Sequence, residues 1–554
     1  MTSVALYDTT LRDGTQKEGL DLSVADKLHL AERLEQIGMT FVEGGFPGSN
    51  PKDARFFAEA RERAFAAALT AFGSTARPGV PAADDLQLRS LVEAGTGVVT
   101  IFGKTAKSHV ERVLRTAPEE NLDRITESVA FLVGKGKRVI YDAEHFFDGY
   151  FEDRDYALAC LAAAAEGGAE VLVLCDTNGG RMPWEIEEGV RAALEHGEVG
   201  VHLHDDGGCA VASSLQAVRA GATHVQGTLL GWGERCGNAD LVAIAANLEL
   251  KMDLPVLAEG GLAGLRDLAR FAAELAGLRV PSGHPYVGRS AFAHKGGVHV
   301  SAIRRFPRAY EHVDPRAVGN RTRVVVSELS GRSNILAKAE ELGLDAEGSE
   351  REVLELIKRR EANGYAYEAA EASVALMLER RKEDHQPSFE VIDHHVSAGR
   401  RGDADGYAEA TVKVTIEGET RHTAGEGCGP VAALDAALRK ALLPARPELK
   451  DVRLSDYKVR IVDTHDGTDA TTRVLIECAR GTRRWRTVGA SRNVVAASLE
   501  ALVDGYEFGL RFTSSPGAGT QPLSPRRGLV DSPELPRQKR CRAQGADAAK
   551  RSKK

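Results

Sequence analysis

The sequence has no apolar run near the ~20 residues that a helix needs to cross a bilayer, which predicts a chain without a membrane span. Its first residues also lack the basic segment followed by an apolar one that marks a signal peptide, so we expect a cytoplasmic protein. The seven cysteines are an odd number, lie far apart and form no C-x-x-C pair. This spacing argues against a disulfide framework and a zinc finger. The net charge of −8 argues against nucleic acid as a partner.

The remaining composition is that of a globular protein with several domains. Hydrophobic residues make up 43% and charged residues 27% of the 554 residues, and this length corresponds to roughly two to four domains. Residues 513–554 differ, because ten lysines and arginines stand there against three acidic residues, among many Pro, Ser and Gly. We predict that this segment is a disordered basic tail, and contact with RNA or an acidic partner is the alternative to a merely solvated one.

Strand and helix patterns alternate through the first half of the chain. Eight short β-branched runs begin near residues 4, 40, 68, 97, 138, 170, 200 and 224. Stretches such as SVADKLHLAERLEQIG lie between them, with apolar residues at helical spacing, a Ser at the start and a Gly at the end. Eight strand–helix units predict a (β/α)₈ barrel over residues 1–275. An open doubly wound sheet is the competing architecture, but no glycine-rich dinucleotide turn follows the first strand.

Polar side chains stand where most of these predicted strands end. Barrel enzymes build their active sites at the carboxyl ends of the strands, so these groups should meet at one mouth. His202 and His204, in VGVHLHDDGG, share a face of the seventh strand because Leu203 points to the other side. By itself, an H-x-H pair also fits two histidines that merely end a strand. The other polar groups at or just beyond the strand ends are Arg12, Asp13, Glu43, Glu144, Asp176, Thr177 and Asn238.

Part of this set suits a divalent cation. Asp13, His202, His204 and the amide oxygen of Asn238 would supply mixed nitrogen and oxygen ligands, with water or substrate completing the shell. Such a set fits Mg²⁺, Mn²⁺ or Zn²⁺, and the lack of a cysteine ligand argues against a closed structural zinc site. The two aspartates that follow, at 205 and 206, would either orient the imidazoles or cap the next helix.

Arg12 stands beside the predicted metal ligand of the first strand. A cation in an open site can polarise a chelated 2-oxo acid, and Arg12 would neutralise charge that grows on the ketone oxygen. An ordinary salt bridge to a carboxylate at the mouth is the alternative. The G-K-T at residues 103–105 does not predict a phosphate loop, because Val98 stands where that motif requires its first glycine.

Several longer motifs together resemble one enzyme family. LYDTTLRDGTQ, FVEGGFPGSN, HLHDD and GTLLGWGERCGNADL are similar to motifs of the metal-dependent Claisen-condensing barrels, which include isopropylmalate, homocitrate and citramalate synthases. Within that family NPKDARFF, YDAEHFFDGY, SAFAHKGGVHVSAI, EGCGPVAALDAALRKAL and DYKVRI most resemble the longer bacterial citramalate synthases. The resemblance covers residues 4–511 and leaves out the basic tail.

The resemblance implies substrate and metal contacts residue by residue. It implies metal binding by the same four ligands, and it implies that Arg12 stabilises an oxyanion. Thr177 matches the residue that holds the carboxylate of the 2-oxo acid. Gln16 and Glu43 are expected either to contact substrate or to support the residues that do.

The resemblance also implies the groups that move protons. Glu144, in YDAEHF, matches the catalytic carboxylate of the family. His299, in GGVHV, matches a histidine that a segment beyond the barrel brings over the mouth, with Tyr310 near it. A base with a pKa near neutral, such as His299 held by Glu144 through water, suits abstraction of a methyl proton.

The implied activity is that of an acyltransferase that converts acyl to alkyl on transfer. The enolate of acetyl-CoA attacks the ketone of pyruvate, and hydrolysis of the thioester releases CoA and (R)-citramalate, an intermediate for isoleucine and thus branched-chain amino acid biosynthesis. The same chemistry on 2-oxoisovalerate or 2-oxoglutarate, as in isopropylmalate and homocitrate synthases, stays open. An acyl-CoA-cleaving lyase and a non-catalytic metal-binding amino-acid sensor are alternatives from other classes.

Two further regions follow the barrel. Residues 276–385 predict mostly helical linker subdomains that carry the histidine at 299. Residues 386–512 contain two copies of three alternating strands and a helix, which predict a pseudo-twofold α+β domain because either sheet alone would expose an apolar face. The resemblance implies an effector site there, with isoleucine as feedback inhibitor, and paired modules favour a homodimer. A dimerisation domain without a ligand is the alternative.

Overall fold

The first half of the chain is a closed barrel of eight parallel strands. The computed structural model describes residues 3–513, apart from 64, 345, 347 and 400–405. The first strand pairs with both the second and the last, which closes the barrel in sequence order and confirms the predicted (β/α)₈ architecture. The strands are β1 Ala5–Asp8, β2 Phe41–Gly45, β3 Ala68–Ser74, β4 Val98–Lys104, β5 Arg138–Glu144, β6 Val171–Asp176, β7 Val199–Leu203 and β8 His224–Gly227.

Helices surround the barrel and bury one face of each against it. The first is typical, since Ser23 and Asp26 form a capping box at its start and its buried leucines face the strands. The seventh ends where Gly168 adopts φ 95°, a conformation that only glycine takes readily. The helices in order are α1 Val24–Gln36, α2 Pro51–Ala60, α3 Leu86–Glu93, α4 Lys107–His109, α5 Pro118–Gly134, α6 Phe146–Glu152, α7 Arg154–Gly167, α8 Pro183–Ala193, α9 Ala210–Ala220, α10 Leu241–Met252 and α11 Gly261–Leu275.

A mostly helical region follows the barrel. Its elements are β9 Ala293–His294, α12 Gly297–Arg305, β10 Arg323–Val324, α13 Arg332–Leu342 and α14 Glu350–Ala362, and the two short strands pair in parallel. The chain divides into two compact units, Met1–Glu361 and Ala362–Lys554. This division does not test the predicted end of the linker near residue 385, and the three boundaries between the four predicted domains stay a prediction.

The second unit contains the two predicted strand–strand–strand–helix repeats. Each repeat forms a three-stranded antiparallel sheet followed by a helix that packs on it, as expected from the alternating apolar residues. The elements are α15 Glu371–Glu379, β11 Glu390–Gly399, β12 Tyr407–Ile416, β13 Glu419–Gly427, α16 Pro430–Leu442, β14 Arg453–Ile461, β15 Thr472–Arg480, β16 Arg483–Ser491 and α17 Val494–Thr513.

The membrane and tail predictions have different outcomes. Within the described part of the chain, every helix is too short or too polar to cross a bilayer. The predicted disordered basic tail lies, beyond Thr513, outside the described residues.

Candidate functional site

The carboxyl ends of the barrel strands surround one pocket, as the predicted architecture requires. The pocket has a volume of about 290 Å³. It brings together residues that are far apart in the sequence but follow different strands: Arg12, Asp13, Gln16, Phe46, Phe72, Phe102, Asp142, Glu144, Cys175, Thr177, His202, His204, Glu234 and Arg235.

Three of the predicted metal ligands form a compact cluster in this pocket. One ligand atom each from Asp13, His202 and His204 lies within 4.8 Å of the other two. Nε2 of His202 is 3.1 Å from Oδ2 of Asp13, and all three side chains are buried. Among the described residues this is the single such group of three or more histidine, cysteine or acidic side chains. A carboxylate and two imidazoles are the donor set expected for Mn²⁺, Zn²⁺ or a similar cation.

The charges of Asp13 and His204 suit the binding of a cation, whereas Asp13 outweighs burial and raises the pKa of His202. Burial by itself would raise the pKa of Asp13, but Arg12 and then His202 outweigh it and hold that pKa well below its usual range. Burial lowers the pKa of His204 to about 4, so its imidazole is neutral at pH 7. An ionised carboxylate and a neutral imidazole are the protonation states that a metal ligand needs.

Asn238 completes the cluster, but its amide nitrogen is the atom turned toward it. Nδ2 of Asn238 is 3.1 Å from Oδ2 of Asp13 and 3.2 Å from Nε2 of His202, while Oδ1 is buried without a hydrogen-bond partner. Nδ1 of His204 is likewise buried and unpartnered. A 180° rotation of the amide would bring its oxygen to the cluster, so the residues present fit a bound cation, and ligation through the oxygen of Asn238 stays a prediction.

A hydrogen-bonded chain beneath the cluster orients His202. Nδ1 of His202 is 2.8 Å from Oε1 of Gln226, and Nε2 of Gln226 donates to Oδ1 of Asp142 over 3.0 Å. Because an amide oxygen only accepts, Nδ1 carries a proton and Nε2 is the ring nitrogen that faces the cluster. The sequence analysis missed Gln226 and Asp142. Both residues lie on predicted strands, β8 and β5. A polar side chain that faces the inside of the barrel was the signal that could have found them.

Arg12 is held rigidly beside the cluster. Its Nε donates to Oε2 of Glu43 over 2.9 Å, Nη1 is 3.5 Å from Oδ2 of Asp13, and the guanidinium lies 3.7 Å from the centre of the Phe72 ring. Glu43 is fully buried and also accepts hydrogen bonds from Tyr7 and Thr9. Of the two roles expected for Glu43, support of Arg12 therefore matches its position, and direct contact with substrate does not.

The other predicted barrel residues also lie at the mouth. Gln16, Thr177 and Glu144 all line the pocket. Oγ1 of Thr177 accepts a hydrogen bond from the backbone N–H of His145 over 2.9 Å, which leaves its own hydrogen free to donate.

Lys104 is a partner of Glu144 that sequence analysis missed. Nζ of Lys104 is 2.5 Å from Oε2 of Glu144, and the two residues are direct neighbours in the β4–β5 ladder. The lysine belongs to the G-K-T segment, which the sequence analysis considered only as a phosphate loop. Its position at the carboxyl end of the fourth predicted strand was the signal that could have found it.

His299 and Tyr310 contact each other but are not among the residues that line the pocket. Their rings stack with centroids 4.1 Å apart, and both side chains are exposed. His294 lies nearby in the same region, with Nε2 3.4 Å from Oε1 of Glu311. The structure therefore brings the histidine and tyrosine together as a pair, and their role at the barrel mouth stays a prediction.

The two aspartates after His204 have separate contacts. Oδ1 of Asp205 accepts the backbone N–H of Ala210 at the start of α9, which matches the helix-capping alternative. Asp206 forms an ion pair with Arg235, whose Nε donates to Oδ1 over 2.8 Å.

Comparisons with known proteins cover almost the whole described chain. Residues 3–271 match the HMGL-like family, residues 286–364 the homocitrate synthase post-HMGL domain-like family and residues 368–510 the LeuA allosteric (dimerisation) domain. The (R)-citramalate synthase of Synechocystis sp. is 49% identical over 92% of this chain and 96% of its own. That of Geobacter sulfurreducens is 50% identical over 92% and 98%. The HMG-CoA lyase structure from Bacillus subtilis, 21% identical, covers 51% of this chain and 96% of its own, with a TM-score of 0.44.

These identities extend over both units and not over the barrel alone. They confirm the resemblance predicted from the motifs, including its narrower form within the Claisen-condensing barrels. The chain belongs to the (R)-citramalate synthase family.

Proposed function

We propose that the protein is an (R)-citramalate synthase that condenses acetyl-CoA with pyruvate and water to give (R)-citramalate and CoA. The observation that supports this most directly is Arg12, fixed by Glu43 and Phe72 beside the Asp13, His202 and His204 cluster. An immobile guanidinium next to a cation site is what a 2-oxo acid requires, because negative charge develops on its ketone oxygen as the carbon–carbon bond forms.

The walls of the pocket support pyruvate as the 2-oxo acid. Phe72 and Phe102 stack with centroids 5.5 Å apart, and Phe46 meets Phe72 edge-on at 5.7 Å. Since Arg12 lies over the ring of Phe72, this wall cannot withdraw without disturbing the arginine. We expect a wall held in this way to disfavour the branched or carboxylated chains of 2-oxoisovalerate and 2-oxoglutarate more than the methyl group of pyruvate.

Protein groups then bind and activate the two substrates. The free hydroxyl hydrogen of Thr177 donates to the substrate carboxylate, and Gln16, which also lines the pocket, is a further substrate contact. A bound divalent cation supplies Lewis-acid polarisation of the keto acid. Arg12 neutralises charge on the ketone oxygen. Glu144, paired with Lys104 at the mouth, acts with His299 and Tyr310 in removing the methyl proton of acetyl-CoA.

The second unit has a proposed regulatory role. We propose that it joins two copies of the chain into a homodimer and binds isoleucine, the end product of the pathway, as a feedback inhibitor. We also propose that the protein acts in the cytoplasm as part of branched-chain amino acid biosynthesis. The match to a LeuA allosteric (dimerisation) domain supports the dimer and the effector site.

Release of CoA thiol from acetyl-CoA, measured with each 2-oxo acid in turn, tests the activity. We expect turnover with pyruvate, and far less with 2-oxoisovalerate or 2-oxoglutarate. The variant Arg12→Gln should lose roughly 10²–10³-fold in kcat, as expected for one oxyanion-stabilising group. An exposed arginine paired on a helix, Arg55, provides the control Arg55→Gln, which should keep wild-type turnover. No thiol release with pyruvate would refute the proposal.

Isothermal titration with isoleucine tests the regulatory proposal separately. We expect heat of binding and inhibition of thiol release at millimolar concentration or below. Absence of both would leave the second unit as a dimerisation domain alone. Sedimentation of the full-length chain as a monomer would contradict the proposed dimer.

A further inference from the structure

Arg235 has a backbone conformation that its residue type rarely adopts. Its φ is 55°, in the left-handed region that favours glycine, although the neighbouring loop contains three glycines with positive φ of their own. These are Gly231, Gly233 and Gly237. A non-glycine residue persists in this region only where the surrounding contacts hold it there.

The side chain of Arg235 provides those contacts by joining three strand ends. Nε donates to Oδ1 of Asp206 over 2.8 Å and Nη2 donates to Oδ2 over 2.9 Å, a two-point contact that only a planar guanidinium can make. Nη2 also donates to the backbone oxygen of Thr177 over 2.8 Å. The arginine therefore links the loop after β8 to the residues that follow β7 and β6.

The segments that Arg235 links each carry a residue of the candidate site. On one side Asn238 stands three residues beyond Arg235, and the backbone N–H of Asp205 donates to the oxygen of Gly237 over 2.9 Å. On the other side lies Thr177, which lines the pocket together with Arg235. A shift of the arginine would therefore move the asparagine and the threonine together.

The space around Asp206 leaves the contact little freedom. A Cβ added to Gly179 would come within 2.5 Å of Oδ2 of Asp206, so the turn after β6 packs directly against this carboxylate. The backbone N–H of Gly207 donates to the oxygen of Gly179 over 2.7 Å. The turn that carries Gly179 therefore limits how far the carboxylate can move.

We propose that Arg235 is a positioning residue. Through its contacts with Asp206 and with the backbone of Thr177, it fixes the position of Thr177 and of the loop after β8 that carries Asn238. It does not touch the cation in this role. It fixes Asn238, a proposed ligand of the cation, and Thr177, a proposed contact of the substrate carboxylate. The part of the inference that concerns the threonine rests on the proposed function, and the part that concerns the asparagine rests on the metal cluster alone.

The proposal distinguishes Arg235 from an ordinary exposed ion pair. Surface pairs contribute little and tolerate substitution. Arg191 and Glu187 on α8 form such a pair, in which Nε and Nη2 both donate to Oε1 over 3.0 and 2.7 Å. Arg191→Gly and Arg191→Lys are therefore matched controls for the same substitutions at 235.

The test compares Arg235→Gly, Arg235→Lys and Asp206→Asn with the wild-type chain. Glycine takes a φ of 55° without cost, so Arg235→Gly removes the side chain and relieves the backbone at once. Binding of Mn²⁺ alone is followed by electron paramagnetic resonance, and KM is measured for pyruvate and for acetyl-CoA. We expect the Kd for Mn²⁺ and the KM for pyruvate to rise about tenfold or more in each of the three variants, as for other residues that orient metal ligands.

The KM for acetyl-CoA should stay within twofold in the same variants, a split that general unfolding would not produce. The double variant Arg235→Gly with Asp206→Asn should be no weaker than the worse single variant, because both remove one contact. Arg191→Gly should leave both constants unchanged.

The proposal fails if Arg235→Gly and Asp206→Asn both keep the Kd for Mn²⁺ and the KM for pyruvate within twofold of wild type. It also fails if Arg235→Lys behaves as wild type, since lysine cannot make the two-point contact. If the wild-type chain turns over no 2-oxo acid, the proposed function falls while the Mn²⁺ measurements still decide the role of Arg235.

Discussion

Side chains beneath the pocket set the orientation of the proposed metal ligands. Gln226 is fully buried and bonds to His202 on one side and to Asp142 on the other. Burial raises the pKa of Asp142 to about 7. Residue type alone indicated histidines and aspartates as ligands, because few other side chains bind cations. It did not indicate Gln226, which is not a ligand but accepts a hydrogen bond from the imidazole of His202 through its amide oxygen.

Replacing Gln226 should weaken metal binding without removing a ligand. In Gln226→Leu the Nδ1–H of His202 loses its acceptor inside the barrel, so the imidazole can turn or change tautomer. We expect the Kd for Mn²⁺, measured by isothermal titration, to rise about 10–100-fold. Gln216, which bonds to Glu187 outside the barrel, provides the control Gln216→Leu. Equal affinities for Gln226→Leu and wild type would show that the bond does not orient the ligand.

His224 should make the barrel less stable in acid. Its ring packs against those of Tyr7 and Phe41, and burial lowers its pKa to about 3. In the unfolded chain His224 has an ordinary pKa and binds a proton below about pH 6.5, whereas in the folded chain it stays neutral down to about pH 3. The free energy of unfolding therefore decreases as the pH falls from 6.5 toward 3. At pH 4.5 this loss is about 2.7 kcal/mol.

Urea unfolding at pH 7.5, 6.0 and 4.5 measures this effect. His224→Phe keeps an aromatic ring in the same place and cannot titrate. We expect its free energy of unfolding to depend less steeply on pH than that of wild type between pH 6.5 and 4.5. Parallel curves for the two proteins would contradict the assignment.

At the scale of elements, the turn after β2 depends on an ion pair inside the barrel wall. Lys27 of α1 pairs with Asp53 of α2, and its Nζ also donates to the oxygen of Gly44 over 3.3 Å. Oδ2 of Asp53 accepts the backbone N–H of Phe46 over 2.9 Å. Phe46 belongs to the aromatic wall of the pocket, so an ion pair between two helices positions a residue of the site.

Breaking this pair on one side should destabilise the barrel strongly. Lys27→Met leaves the carboxylate of Asp53 buried without its cation, which costs about 3–5 kcal/mol. Adding Asp53→Asn should recover part of the loss, because the amide oxygen still accepts from Phe46 and no charge stays buried. Guanidinium unfolding of the single and double variants measures both values.

An exposed pair supplies the control for this prediction. Lys52 and Asp21 join α2 to the segment before α1 at the surface. Lys52→Met should cost less than about 1 kcal/mol. A loss of similar size for Lys27→Met would show that the buried pair contributes no more than a surface one.

At the scale of the whole molecule, a cation should stabilise the barrel that assembles its site. The proposed ligands come from β7 and from the segments that follow β1, β7 and β8, and Asp13 and Asn238 are separated by 225 residues. Because the unfolded chain has no such site, binding energy adds to folding energy.

Removing metal with a chelator should therefore lower the unfolding temperature of the barrel. With Mn²⁺ at 100 times its Kd the loss is about 2.7 kcal/mol, which corresponds to roughly 5–10 °C for a domain of this size. Scanning calorimetry with and without chelator measures the shift. Asp13→Asn should show no response to Mn²⁺, whereas Asp21→Asn, at the surface, should respond as wild type does. A full response in Asp13→Asn would place the cation elsewhere.

The sequence by itself determined the elements and the type of chemistry. Hydrophobic periodicity and the residues that cap helices or form turns are local properties of the sequence. They therefore predicted the eight barrel strands, the capped helices and the two strand–strand–strand–helix repeats. The histidine pair at the end of β7 and the acidic residue after β1 were predicted as well, because alternation in a strand sets which side chains share a face.

Only the tertiary structure decided which side chains meet. The pairing of Lys104 with Glu144, the bond from Gln226 to His202 and the contact of Arg235 with Asp206 depend on register between strands and on closure of the barrel. The local sequence indicates neither strand register nor barrel closure. A lysine or arginine at a strand end has the same sequence pattern whether its side chain faces solvent or a carboxylate. Contacts of this kind form only when distant segments are brought together, and the site is built from them.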